Sequence, residues 1–157
     1  MRFADAELLA FDIDGVLTDA TTWWAGLNVG WVQRYSVRDG EALLRIAQRR
    51  IVLPLSRNRT NSVLSRMEGL GLDMRWLGVQ DKLTGLDQIC RAFGVAPEGV
   101  CFVGDGFDDA PVLRRVGLGC AVADAHPAAL EAADVVLTAR GGVRVMEEVE
   151  HRMVTES

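Results

Sequence analysis

Short apolar runs that end in a carboxylate or hydroxyl residue, separated by helical segments, constrain this chain more than any other feature. Glu7–Phe11 is followed by Asp12, Ile51–Leu55 by Ser56, and Val100–Val103 by Gly104-Asp105; Met74–Leu77 and Val135–Leu137 are weaker runs. Between them, Gly40–Arg50, Thr60–Leu70, Lys82–Phe93 and Asp109–Val116 carry apolar residues at helical spacing. Strands alternating with helices of this length build a parallel sheet covered on both faces. Ligands of such sheets gather at the carboxyl ends of the strands. That is where Asp12, Asp14, Ser56, Asp105 and Asp109 fall.

The expected fold is therefore α/β, a three-layer Rossmann-like parallel sheet with helices on both faces. A chain of 157 residues makes one such domain, spanning residues 1–157. One segment breaks the alternation. Thr21-Thr22-Trp23-Trp24 and Trp31-Val32-Gln33-Arg34-Tyr35 flank a Gly26-Leu27-Asn28-Val29-Gly30 centre. These β-rich arms predict a β-hairpin inserted after the first strand, at about residues 20–36. A lone hairpin is marginal in water and needs a surface to lie on. Either Trp23, Trp24, Trp31 and Tyr35 pack on their own domain, or they meet another subunit. A patch of aromatics favours the subunit interface.

Composition narrows the partners. The net charge is −5, from 17 basic against 22 acidic residues, and the arginines are scattered rather than gathered on one face. No nucleic-acid partner is expected. An anionic substrate must be attracted locally, by a metal ion, a lysine or backbone N–H groups. No stretch approaches the roughly 20 apolar residues of a membrane span. Acidic residues occupy Met1–Glu7, where a signal peptide would have its apolar run. Cys90, Cys101 and Cys120 form no C-x-x-C and read as small core residues, which fits a cytoplasmic protein.

Asp12 and Asp14 are separated by one residue just past a strand and so point the same way. Carboxylates this close repel unless a cation or a proton lies between them. A divalent metal with oxygen ligands, most simply Mg²⁺, accounts for them; an Asx-turn with a helix cap is the alternative for Asp-x-Asp-Gly alone. Gly104-Asp105-Gly106-Phe107-Asp108-Asp109-Ala110-Pro111 adds carboxylates at another strand end. Asp105 is placed to complete the metal's coordination and Asp109 to orient a metal-bound water. Asp108 is expected to cap the following helix. Lys82, the chain's only lysine, opens a helix and offers a point charge to a phosphate oxygen. Ser56 offers a hydrogen bond to the same group. His126 and His151 have no partner at ligand spacing and read as structural or solvated.

Asp12-x-Asp14-Gly15-Val16-Leu17-Thr18, Ser56, Lys82 and Gly104-Asp105-x-x-x-Asp109 resemble the four ordered motifs of the haloacid dehalogenase-like phosphohydrolases. The chain is most similar to their small capless group, which contains the 3-deoxy-D-manno-octulosonate 8-phosphate phosphatases. It also resembles the phosphatase-like modules associated with acylneuraminate cytidylyltransferases. Val37-Arg38-Asp39-Gly40 and Val122-Ala123-Asp124-Ala125-His126-Pro127 are finer matches. The resemblance implies a Mg²⁺-dependent phosphomonoesterase acting on a small phosphorylated sugar acid. Asp12 would be the nucleophile that forms an aspartyl-phosphate, and Asp14 the acid that protonates the leaving alkoxide and then activates water. Mg²⁺ would be held by Asp12, by Asp14 through its backbone carbonyl, and by Asp105. Phosphate and substrate contacts would come from Ser56, Arg57, Asn58 and Arg66, with Arg38, Asp39 and Gly40. The resemblance also implies a homotetramer in which one subunit's hairpin covers its neighbour's site. In the related P-type ATPases the position of Asp14 is threonine; an acid there, with no membrane span, favours a phosphatase.

Three places depart from the octulosonate phosphatases. Their second motif reads Thr-Gly-Arg or Ser-Gly-Arg, against Ser56-Arg57-Asn58 here; Trp31-Val32 stands where they carry a glutamate pair; and Gly141-Gly142-Val143-Arg144 alters the C-terminal motif. The catalytic set is intact and the specificity set is changed. An acylneuraminate 9-phosphate or another phosphosugar is therefore the alternative substrate. A non-catalytic, oligomer-organising module of a sugar-activating pathway is the alternative of another class.

Overall fold

A computed structural model describes residues 1–156. Five short strands form one parallel sheet: β1 (Leu8–Phe11), β4 (Ile51–Pro54), β5 (Val100–Gly104), β6 (Leu118–Ala121) and β7 (Val135–Val136), in the order β4-β1-β5-β6-β7. Every residue of β1 and β5 is buried, as expected for strands covered on both faces. Two groups of helices cover the sheet. On one side α1 (Val37–Ala47) packs against α6 (Val145–Thr155); on the other, α3 (Lys82–Phe93), α4 (Ala110–Arg115) and α5 (Pro127–Ala132) pack in sequence. The remaining helix, α2, spans Asn61–Gly69. Among the described residues no helix is long and apolar enough to cross a membrane.

Register places the site. Phe11 lies level with Pro54 on one side and Val103 on the other. The residues that follow, Asp12, Ser56 and Asp105, therefore leave the sheet along one edge. Chain order reverses at β1, with β4 on one flank and β5 on the other, so this edge is the crevice where open parallel sheets bind ligands.

The hairpin is present, with two-residue antiparallel strands β2 (Trp23–Trp24) and β3 (Trp31–Val32). Trp24 and Trp31 meet edge to face, their ring centroids 5.4 Å apart. Packing on the parent domain is not what the tryptophans do: Trp23, Trp24 and Trp31 are half exposed, and Leu27 at the tip is 93% exposed. Tyr35 alone packs against the core. The Met74–Leu77 run is not a strand; it makes a single parallel bridge, Leu77 to Ser56. Its Trp76 instead lies under the Arg75 guanidinium and beside the Phe93 ring. All three cysteines are free and buried.

Candidate active site

The loop after β1 carries the first carboxylates. The Asp12 N–H donates to Val103 O at 2.9 Å, tying the loop to β5. The Asp12 carboxylate then accepts from its neighbour, the Ile13 N–H, at 2.7 Å. The chain next turns through Gly15 at φ +80°; a Cβ there would lie 1.9 Å from Asp105 Oδ2. Only glycine lets the two loops approach this closely. Buried Thr18 closes the turn, its hydroxyl accepting from the N–H groups of Gly15 and Ala20. Behind the loop, Gly142 N–H donates to Val16 O at 2.9 Å, and a Cβ on Gly141 would meet Gly15 O at 2.1 Å. The C-terminal Gly-Gly pair is thus a strap across the back of the loop.

Lys82 enters from α3. Asp81 caps that helix, accepting from the Leu83 and Thr84 N–H groups, so Lys82 is the first helical residue and projects from the helix start. Its Nζ lies 2.7 Å from Asp12 Oδ2, 2.6 Å from Asp109 Oδ1 and 3.4 Å from Asp108 Oδ2, almost wholly buried. Burial works against the ammonium, but Asp12 and Asp109 outweigh it and hold Lys82 above its ordinary range. Asp12 is pushed up to about 8, first by burial and then by Asp109, with Lys82 pulling the other way. Burial and Asp109 likewise raise Asp105 to about 7.

Asp109 has little left to offer a ligand. Its Oδ2 accepts from the N–H groups of Asp105 and Gly106, both at 2.9 Å, while Oδ1 holds Lys82. It therefore fixes the loop that carries Asp105. This corrects the expectation for Asp108: the side chain that satisfies the N–H groups of the turn is Asp109, and Asp108 faces Lys82. Oxygens of Asp12, Asp105 and Asp109 lie within 4.8 Å of one another. Crowded carboxylates, of which Asp12 and Asp105 have raised proton affinity, with only one ammonium among them, suit a hard divalent cation.

Asp14 points elsewhere. Its carboxylate accepts from Asn58 Nδ2 at 2.9 Å and from Gln33 Nε2. It lines a cleft of about 400 Å³ with Ala20, Thr22, Trp31, Gln33, Asn58 and Thr60. Buried Ser56 accepts from the Asn58 N–H at 3.1 Å, leaving the hydroxyl proton free to donate. Arg57 is exposed and touches Gln80.

The remaining expected substrate contacts lie in helix packing. Asp39 is buried, and its Oδ1 accepts from the N–H groups of Met146 and Glu147 at 2.8 and 3.3 Å. Those are unsatisfied donors of the first turn of α6, so Asp39 is a cap supplied by α1. Its Oδ2 is buried without a partner, and burial raises its proton affinity. Arg38 pairs with Glu147. Gly40 passes close to Arg66, whose guanidinium donates to Ser36 O. None of these four bonds to the Asp12 cluster. His126 caps α5, accepting from the Ala128 N–H through Nδ1. Gln33 is a part of the site that no sequence motif marks, whereas the Gly141-Gly142 pair belongs to the altered C-terminal motif and braces the Asp12 loop from behind.

A family model described as haloacid dehalogenase-like hydrolase matches residues 73–141. The chain is 35% identical over 143 residues to the 3-deoxy-D-manno-octulosonate 8-phosphate phosphatase KdsC of Escherichia coli (strain K12), covering 90% of this chain and 76% of that one. This chain belongs to the haloacid dehalogenase-like hydrolases. Solved relatives agree in shape. The 3-deoxy-D-manno-octulosonate 8-phosphate phosphatase of Yersinia pestis superposes with a TM-score of 0.90 at 32% identity, covering 98% of this chain and 83% of that one. The cobalt-bound deoxy-D-mannose-octulosonate 8-phosphate phosphatase of Haemophilus influenzae gives 0.89 at 28% identity, covering 98% and 90%. As a member of this family the chain is a phosphatase.

Proposed function

We propose that the chain is a Mg²⁺-dependent phosphomonoesterase for a small phosphorylated sugar acid of the 3-deoxy-D-manno-octulosonate 8-phosphate type. One observation carries the reading: Lys82 is buried between Asp12 and Asp109, with Asp105 within reach, at the carboxyl edge of β1 and β5. Asp12 and Asp105, with the Asp14 backbone carbonyl, would hold the cation, which when bound neutralises charge on the phosphoryl oxygens. Asp109 holds the Asp105 loop and Lys82 in place.

The remaining steps belong to side chains. Lys82 and Ser56 grip the phosphoryl oxygens, flanked by Arg57 and Asn58. Asp12 attacks phosphorus and Asp14 protonates the departing sugar oxygen. Asp14 then takes a proton from water, which releases phosphate from the aspartyl-phosphate on Asp12. Mg²⁺-dependent phosphate release from phosphorylated sugar acids, lost in Asp12→Asn, tests this. Absence of release from every member of a phosphosugar panel, acylneuraminate 9-phosphates included, would make the chain a non-catalytic module.

Residues 1–157 work as one domain whose half-exposed hairpin meets further copies in a cytoplasmic homotetramer. Five exposed apolar side chains, Trp23, Trp24 and Trp31 on the two short strands and Leu27 and Val29 in the turn between them, support an association surface. Sedimentation should show an oligomer that the pair Trp24→Ser and Trp31→Ser dissociates; a parent monomer with full activity removes the assembly.

A further inference from the structure

Both oxygens of the Asp14 carboxylate are held by side-chain amides from separate elements. Gln33 follows β3 on the hairpin, and Asn58 follows β4. In each amide the opposite end is committed. Asn58 Oδ1 accepts from the Thr60 N–H at 2.9 Å, and Gln33 Oε1 accepts from the Tyr35 hydroxyl at 3.3 Å. With its oxygen engaged, each amide must turn its NH₂ toward Asp14, since an amide carries its donors and acceptor at opposite ends. Asn58 is itself anchored by its N–H on Ser56 Oγ at 3.1 Å. Phosphate grip and acid therefore share one loop.

We infer that Asn58 and Gln33 are positioning residues that aim the Asp14 carboxyl at the leaving-group oxygen. This rests on the proposed role of Asp14 as general acid. The two amides fix both the rotation and the tilt of the carboxyl at the mouth of the roughly 400 Å³ cleft that it lines with Trp31, Thr22 and Thr60. An amide neither gains nor loses a proton near neutral pH, so it orients the acid without competing for the proton being transferred. The second motif accordingly trades a family arginine for a group that serves the acid. Gln33 sits at the foot of the exposed hairpin, so displacing the hairpin releases one of the two constraints.

The test compares esters that differ in their need for an acid. Parent, Asn58→Ala, Asn58→Asp, Gln33→Ala and Asp12→Asn are assayed with saturating Mg²⁺ on 4-nitrophenyl phosphate and on a primary alkyl phosphate. The nitrophenolate leaves without a proton, whereas an alkoxide requires one. Misplacing an acid loses about 10- to 100-fold of its contribution. We expect kcat/KM, which reads the step in which the ester oxygen departs and not the later release of phosphate from Asp12, to fall at least about tenfold further on the alkyl ester than on the aryl ester in the Asn58 and Gln33 variants. Asn58→Asp keeps the acceptor for Thr60 and the side-chain shape, so the reading survives if Asn58→Ala folds poorly. Equal losses on both esters, or none on either, would overturn the inference while leaving the proposed function intact. Activity surviving in Asp12→Asn would overturn the aspartyl-phosphate reading itself.

Discussion

Replacing Lys82 with methionine keeps an unbranched stem of similar volume and removes one charge. In the parent, the ammonium lies 2.7 Å from Asp12 and 2.6 Å from Asp109, with all three side chains buried. The variant leaves two carboxylates facing each other without a counter-charge. Breaking a buried ion pair from one side costs about 3–5 kcal/mol. For a domain of this size each kcal/mol moves the melting temperature by about 2–4 °C, so the metal-free variant should melt roughly 6–20 °C below the parent.

The direction with pH follows from Asp12. Its proton affinity in the fold is already raised, to about 8. A carboxylate raised in this way weakens the fold progressively as pH climbs from its unfolded value to its folded one, and below both it has no effect. Without Lys82 the charged form loses its main support, so Asp12 moves further up and the loss of stability continues to higher pH at the same one-proton slope. The gap between parent and variant should therefore be steady below about pH 7 and widen above about pH 8, so that it is larger at about pH 9 than at about pH 6. Calorimetric melting in excess chelator measures both values. A gap of equal size at the two pH values, or no gap, would refute the electrostatic account of this cluster.

Two further substitutions probe the frame around the cluster. Gly15→Ala puts a Cβ 1.9 Å from Asp105 Oδ2 at a backbone φ of +80°; Asp105 must swing away, and Mg²⁺ affinity by titration calorimetry should fall about 10- to 100-fold. Unchanged affinity would remove Asp105 from the metal site. Asp39→Ala strips the acceptor from the first turn of α6 and should lower stability to urea by about 0.5–2 kcal/mol. Asp39→Asn keeps an acceptor and should lose less; the reverse order would count against the capping role.

Local signals made the framework readable. The α3 helix runs over Lys82–Phe93 as expected, because Asp81 marks its start and apolar residues at Leu83, Leu86, Ile89 and Phe93 keep its period. The strands β1 and β5 read clearly because burial on both faces leaves no polar residue in them. By contrast β6 is Leu-Gly-Cys-Ala, whose small residues carry no β signal; it is a strand because β5 and β7 pair with it. Contacts between distant segments were not readable. Asp39 caps a helix 107 residues away, Gln33 meets Asp14 across 19 residues, and Gly141 lies against Gly15. Only the folded chain brings these partners together, and it commits one Asp39 oxygen to the first turn of α6.

The charge distribution of the site explains why Lys82 alone is insufficient for phosphate. An ammonium has three donors. Two are held by Asp12 and Asp109 at short range, and the third faces the half-exposed Asp108 at 3.4 Å. Asp108 is the one partner free to move aside, so the third N–H is the one available to a phosphoryl oxygen. Asp12 must be ionised to attack phosphorus, and once Asp105 is ionised beside it these two and Asp109 exceed this single positive charge, in a chain whose net charge is −5. Without a further cation an incoming phosphate meets net repulsion where it must react. The carboxylates that keep Lys82 ionised thus require a divalent ion before the substrate can approach Asp12.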